Sequence, residues 1–188
     1  MPTHSSLQRK PFWAPVGLAA VSALAAALLM ALFAWLLVTA RSTTVIVVRE
    51  VEMAPGGAAD AALSAAGQSR AELLAHMFGD PRLKDHVDAL YASPTRGAQA
   101  TVRPLAERLG TQPVVVSRDD PRALARRVLR EHRGGRILVV AHGNAARDLA
   151  AVLSGVTDIP PVLPTDFGTL YIVTVPRIGR ANLLSLEY

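Results

Sequence analysis

The chain has 188 residues, 51% of them hydrophobic, and a formal net charge of +5 at pH 7. It contains no cysteine, which excludes disulfide bonds, lipid attachment to cysteine and zinc sites built from thiolates. All 15 Asp and Glu residues but only part of the 20 Lys and Arg residues follow Ser42, so the net charge of that region is only about +2 and nucleic-acid binding is not indicated.

The first predicted element is a membrane-spanning helix over residues 16–40, which carry no charged side chain. At 1.5 Å per residue this length crosses a ~30 Å hydrocarbon core. Residues 1–15 form a short basic tail, as in secretory signals, so we predict a single-pass signal anchor and export of residues 42–188. Val-Thr-Ala at 38–40 leaves cleavage of a signal peptide as the alternative.

Residues 42–188 alternate between apolar runs and helical patterns. Strands are predicted at 43–48, 87–92, 113–117, 136–142 and 169–175, and helices at 64–78, 95–109, 120–133 and 144–153. This alternation predicts a mostly parallel sheet between two helical layers, an α/β/α sandwich. Ligands of such folds bind beyond the carboxyl ends of the strands. These ends carry Arg49, Glu50, Ser93 and His142.

Four motifs stand in a specific order: "TVIVVREVE" (44–52), "DALYASPTRGAQATVRPLAERLG" (88–110), "HRGGRILVVAHGN" (132–144) and "DFGTLYIVTVP" (166–176). On these motifs the chain resembles the histidine phosphatase superfamily, the phosphoglycerate mutase-like proteins, especially small bacterial members. The resemblance implies that a histidine accepts a phosphoryl group while two arginines and a second histidine surround the phosphate. We predict no cofactor and no metal.

The resemblance also implies that half of the phosphate site is missing. Arg49 matches the first arginine and His142 the second histidine, but Glu50 stands at the nucleophile's position. The second arginine falls at Gly97, and Arg96 would point about 100° away from that direction on a helix. Because a carboxylate repels a phosphate dianion, we predict a degenerate active site with impaired catalysis.

Two interpretations of Glu50 are open. The favoured one is an internal anion that fills the vacated site, paired with Arg49 and His142. The alternative is an active phosphomonoesterase with a rearranged site, in which Glu50 or His142 is the nucleophile and Arg96 replaces the missing arginine. Asn144 is a further candidate phosphate ligand. The predicted ligand is a phosphorylated small molecule or a phosphoprotein, and the sequence identifies no protein partner.

Four arginines recur on one face of the predicted helix 120–133, at spacings of four, four and three. A solvated helix face is the favoured interpretation. The alternative is contact with anionic lipid or with a partner, which would make the chain a non-catalytic membrane-associated interaction protein. These arginines are Arg122, Arg126, Arg130 and Arg133.

Overall fold

The computed structural model describes residues 14–39, 41–54, 62–80, 82, 86–117, 120–163 and 165–188. It divides the chain into two compact units, Met1–Thr39 and Ala40–Tyr188. Most of the predicted basic tail lies outside the described residues.

The first unit contains helix α1, Ala14–Thr39, whose 26 residues extend over about 39 Å. Its segment Ala19–Leu36 is fully exposed and is long and apolar enough to cross a membrane. The helix begins two residues before the predicted start. Length and composition also fit a signal sequence near the N-terminus, so retention as an anchor stays a prediction.

The described part of the second unit is a six-stranded sheet with four helices. The strands are β1 (Thr43–Arg49), β2 (Ala89–Ala92), β3 (Val114–Val115), β4 (Arg136–Ala141), β5 (Thr169–Val175) and β6 (Asn182–Glu187). The helices are α2 (Ala65–Phe78), α3 (Arg96–Leu109), α4 (Pro121–Glu131) and α5 (Ala145–Ser154). The strand order is β3-β2-β4-β1-β5-β6; β1 to β4 pair in parallel, and β5 and β6 are antiparallel additions. The predicted mostly parallel sheet is confirmed.

Successive residues of β1 explain the three layers, because neighbouring side chains of a strand point to opposite faces. Val45 and Val47 pack with side chains of α4 and α5 in one core. Ile46 and Val48 pack with side chains of α2 and α3 in the other. The middle of β1, Val45 to Val48, is therefore continuously apolar, as expected for a strand buried on both faces.

Helix starts follow the expected capping chemistry. The side chains of Ser64, Thr95 and Asp120 accept backbone N–H hydrogen bonds at the first turns of α2, α3 and α4. Helix α3 runs on through Pro104. After α4 the chain turns through Gly134, which has a left-handed φ of +75°.

The strands begin and end at two opposite sides of the sheet, which carry different charged residues and are called edges below. Register places Arg49 beside Ala141 at the carboxyl ends of β1 and β4, which we call the site edge. At the other end, Thr43 pairs with Val175, so the turn between β5 and β6 lies where β1 begins. Seven residues of strand separate the two edges, a distance of about 20 Å.

Candidate functional site

Strand register brings the predicted site residues together. Arg49 ends β1, His142 follows β4, and the backbone N–H of Glu50 donates to the carbonyl of Ala141 over 2.9 Å. This bond extends the β1–β4 pairing past the strand ends and places the side chains of Glu50 and His142 side by side. Two residues 92 positions apart in the chain thereby become direct neighbours.

The carboxylate of Glu50 is held by two donors. Its Oε1 accepts a hydrogen bond from Nδ1 of His142, and its Oε2 accepts one from the hydroxyl of Thr95 over 2.6 Å. The Glu50 side chain is only 12% exposed, whereas that of His142 is 47% exposed. A charge so far removed from water needs such partners, because burying it unpaired would cost several kcal/mol.

Sequence reasoning missed Thr95. The residue has two roles, since its hydroxyl also caps α3 by accepting the N–H of Ala98 over 3.2 Å. The signal available in the sequence was a threonine directly before a predicted helix, next to the strand end that carries Ser93. That pattern identifies a cap, but the additional bond to Glu50 depends on the fold.

Gly97 provides the space that Glu50 occupies. A Cβ atom on Gly97 would lie 2.9 Å from Oε2 and 3.2 Å from Cδ of Glu50. The glycine is fixed in place by Thr101, whose hydroxyl donates to the Gly97 carbonyl over 2.6 Å and accepts the N–H of Val51 over 3.1 Å. The Glu50 carboxylate therefore occupies space that a side chain at position 97 would fill, and it fits because Gly97 has no Cβ.

Arg49 is engaged by the loop that precedes β5. Its Nη1 donates to the carbonyls of Leu163 over 2.6 Å and of Asp166 over 2.9 Å. The guanidinium also lies 4.7 Å from the ring centroid of Phe167, a cation–π contact. The Arg49 side chain thus connects the end of β1 to the loop that precedes β5.

Arg96 and Asn144 lie at the starts of two helices. Arg96 is the first residue of α3 and lines a cavity of about 1160 Å³ between α2 and α3, as does Arg103. The cavity lining does not include Arg49, Glu50 or His142 among the described residues. Asn144 is exposed at the N-cap of α5, where its side chain makes no capping bond.

An ion pair between Arg70 and Glu52 also lies at the site edge. Nε of Arg70 lies 3.0 Å from Oε1 of Glu52, and its Nη1 donates to the carbonyl of Tyr188 over 2.7 Å. Burial raises the pKa of Tyr188 to about 12, against the opposing effect of Arg70, and Glu52 adds to the rise. These contacts join α2 to the segment after β1 and to the end of β6.

Within the described ranges, no group of three or more His, Asp or Glu side chains is placed to hold a metal ion. The absence of a metal and of a cofactor stays a prediction.

Comparison with known proteins finds a sequence family that part of the chain resembles. The sequence model of the histidine phosphatase superfamily (branch 1) matches residues 47–119. Over this segment the chain is similar to that superfamily. The matched segment contains Glu50 and Gly97, the two positions at which the resemblance implies a departure from the phosphate site. No curated protein matches the sequence.

Solved structures of superfamily phosphatases share the fold. The protein histidine phosphatase SixA complexed with tungstate superposes with a TM-score of 0.62 at 17% identity, covering 77% of this chain and 96% of that one. The mycobacterial glucosyl-3-phosphoglycerate phosphatase gives 0.59 at 15% identity, covering 78% and 99%. The putative phosphohistidine phosphatase SixA of Agrobacterium tumefaciens gives 0.54 at 15% identity, covering 77% and 98%. At these identities the likeness concerns the fold alone.

Proposed function

We propose that the domain is a histidine phosphatase-like domain whose phosphomonoesterase activity is lost or strongly impaired. The observation that carries the proposal is the position of the Glu50 carboxylate, held by Thr95 and His142 above Gly97. A carboxylate stands where the superfamily resemblance calls for an imidazole that attacks phosphorus. The internal anion takes up the donors that a phosphate would need.

Electrostatics support this proposal. Two unit charges ~4 Å apart interact by about 4 kcal/mol at an effective dielectric constant of 20. Repulsion of even half that size between Glu50 and a phosphate dianion weakens binding by more than tenfold. The bonds of Arg49 to the carbonyls of Leu163 and Asp166 commit further donors to the loop.

We further propose that α1 anchors the domain to a membrane and that the domain lies on the extracytoplasmic side. Support comes from the length and apolar composition of α1 and from the basic residues that precede it in the sequence. In this setting the domain would act as a scaffold or as a weak binder of a phosphorylated small molecule or phosphoprotein, with the protein partner left open.

Restoring the missing groups tests the loss of activity. The full chain in detergent micelles is assayed with an aryl phosphate as wild type, Glu50→His, Gly97→Arg and the double variant. An arginine at 97 cannot share its space with Glu50, so Gly97→Arg alone should gain no hydrolysis. The double variant should exceed wild type by about 100-fold, the usual effect of one well-placed transition-state donor.

His142→Ala in the double-variant background is the matched control and should remove the gained activity. Clear wild-type turnover that disappears in Glu50→Ala would overturn the proposal. Membrane anchoring is tested separately by alkaline carbonate extraction, which releases proteins that do not span the bilayer.

One observation favours a second candidate, a phosphomonoesterase with a rearranged site. Nδ1 of His142 lies against the Glu50 carboxylate and its imidazole is half-exposed, so in the neutral tautomer that carries its proton on Nδ1 the other nitrogen, Nε2, would have a free lone pair. Such a nitrogen is a competent phosphoryl acceptor. In this case wild-type hydrolysis would be abolished by His142→Ala and would fall sharply in Glu50→Gln.

A further inference from the structure

The turn between β5 and β6 exposes an isoleucine between two arginines. Ile178 is 87% exposed, more than any other large hydrophobic side chain in the described part of the domain. Arg177 and Arg180, on either side of it, are also exposed. A single exposed apolar residue is ordinary on a protein surface, so its meaning depends on what surrounds it.

This turn lies at the edge of the sheet where the chain arrives from α1. Val175 pairs with Thr43, the first residue of β1, and Arg136 pairs with Thr44. Arg41 packs here too, because a Cβ on Gly134 would lie 3.0 Å from its Cβ. We call the following residues the basic edge: Arg41, Arg133, Arg136, Arg177, Ile178 and Arg180.

An acidic side chain also lies at this end of the sheet. One carboxylate oxygen of Asp88 accepts the N–H of Arg136 over 2.7 Å, and the other lies 3.5 Å from Nε2 of His86. Asp88 is thus engaged with its neighbours, and the arginines outnumber it.

The length of the connecting chain ties the basic edge to α1. Three residues lie between Thr39, the end of α1, and Thr43, so the two are four residue steps apart, which extend over at most about 14 Å. Whatever the arrangement of the two units, β1 therefore begins within that distance of the end of α1. If α1 spans a membrane, the basic edge lies within reach of the lipid headgroups.

We propose that the basic edge docks on anionic phospholipid, with Ile178 inserted at the headgroup boundary and the arginines on lipid phosphates. The inference rests on the proposed membrane anchoring. Arginines supply charge complementarity to an anionic surface and hydrogen bonds to phosphate, and the isoleucine supplies an apolar contact. Docking would turn the site edge, about 20 Å away along β1, toward the aqueous phase.

Because the chain has no cysteine, one introduced cysteine gives a clean probe position. Ile178→Cys carries an environment-sensitive fluorophore on the full chain in liposomes of phosphatidylcholine with or without phosphatidylglycerol. Ala66→Cys, exposed in the first turn of α2 at the site edge, is the matched control. A quencher attached to the lipid should quench the probe at 178 in the anionic membrane and leave the probe at 66 unaffected.

Charge removal tests the arginines. Arg177→Gln plus Arg180→Gln should weaken docking by about 25-fold, since each basic residue near an anionic surface contributes roughly fivefold. Arg122→Gln plus Arg126→Gln removes the same charge from the start of α4, where Asp120 and Pro121 line the same small pocket as Ser93 at the site edge. That control pair should leave quenching at 178 unchanged. Added salt should weaken docking as well.

Hydrogen exchange of the unlabelled wild type supplies a readout that keeps Ile178. Amides of residues 177–181 should exchange more slowly in the anionic membrane than in phosphatidylcholine. Equal exchange in both membranes, or equal quenching at 66 and 178, overturns the docking inference. If carbonate extraction releases the protein, the anchoring proposal fails and docking fails with it; if the protein stays and only docking is missing, anchoring stands.

Discussion

The charged residues at the site edge and at the basic edge differ in their hydrogen bonding and in their exposure. At the site edge, Glu50 is bonded to His142 and Thr95, Arg70 to Glu52, and Arg49 to loop carbonyls. At the basic edge, by contrast, Arg133, Arg177 and Arg180 extend from exposed positions. At the site edge charged side chains are hydrogen-bonded to neighbouring side chains and carbonyls, whereas Arg133 and Arg180 of the basic edge are exposed to solvent.

This difference separates a stabilising role from a binding role. Charges paired inside a protein contribute to the fold and are costly to disturb singly. Exposed arginines contribute little to stability but can attract an anionic partner. Substitutions at the site edge should therefore change the free energy of unfolding, whereas those at the basic edge should change binding. Hydrogen exchange of the buried β1 and β4 amides in the full chain measures the free energy of unfolding for each variant.

The largest effect is expected at Gly67, in the first turn of α2. A Cβ there would overlap the backbone carbonyl of Glu52, which a side-chain rotation cannot relieve. Gly67→Ala should lower the free energy of unfolding by about 3 kcal/mol despite the better helix propensity of alanine. Ser69→Ala, exposed in the same helix, is the control and should change it by less than about 0.5 kcal/mol. Equal effects of the two substitutions would contradict close packing between α2 and the segment after β1.

A second, smaller effect is expected at alkaline pH. The pKa of Tyr188 is raised to about 12 from its ordinary value of 10.0, chiefly by burial, so the folded state binds this proton more tightly than the unfolded state. The stability it contributes is complete below pH 10 and is lost as the pH rises from 10 to 12, to the extent of about 2 kcal/mol. Other groups titrate in the same range, so Tyr188→Phe isolates the effect.

The Phe variant should lose about 2 kcal/mol less than wild type over that range. At neutral pH it should be close to wild type, because the buried Tyr188 hydroxyl has no hydrogen-bond partner among the described residues. Parallel pH curves for the two proteins would refute a proton held tightly at Tyr188.

A third prediction tests whether Glu50 and Gly97 form a matched pair. Gly97→Ala should cost about 1.5 kcal/mol, because its Cβ displaces a carboxylate held by Thr95 and His142. In a Glu50→Ala background the same substitution should cost much less, giving a coupling of about 1 kcal/mol. Ala98→Gly, one residue further along α3, provides the control and should show no coupling to Glu50→Ala. Additive effects at positions 50 and 97 would indicate that Glu50 and Gly97 are not coupled.

The sequence predicted which strand ends form the site better than it predicted the side-chain contacts within it. Apolar runs such as residues 43–48 and 136–142 predict buried strands, and parallel order then brings Arg49, Glu50 and His142 to one edge. The bond from Thr95 to Glu50 and those from Arg49 to the loop at 163–166 depend on side-chain directions across distant segments, which no periodic pattern records. Strand β6 was missed for a related reason, since its mostly exposed residues form a strand by pairing with β5.

The smallest expected effect on stability belongs to the basic edge. Arg177→Gln plus Arg180→Gln should change the free energy of unfolding by less than about 0.5 kcal/mol, because both side chains are exposed. A matched pair at the site edge, Glu52→Gln plus Arg70→Gln, removes two charges that are bonded to each other and should cost more, about 1 kcal/mol. Hydrogen exchange in neutral detergent, where no anionic lipid is present, separates this comparison from membrane docking. If the basic-edge pair proved the more destabilising of the two, its arginines would be part of the fold, and their exposure would no longer argue for a partner.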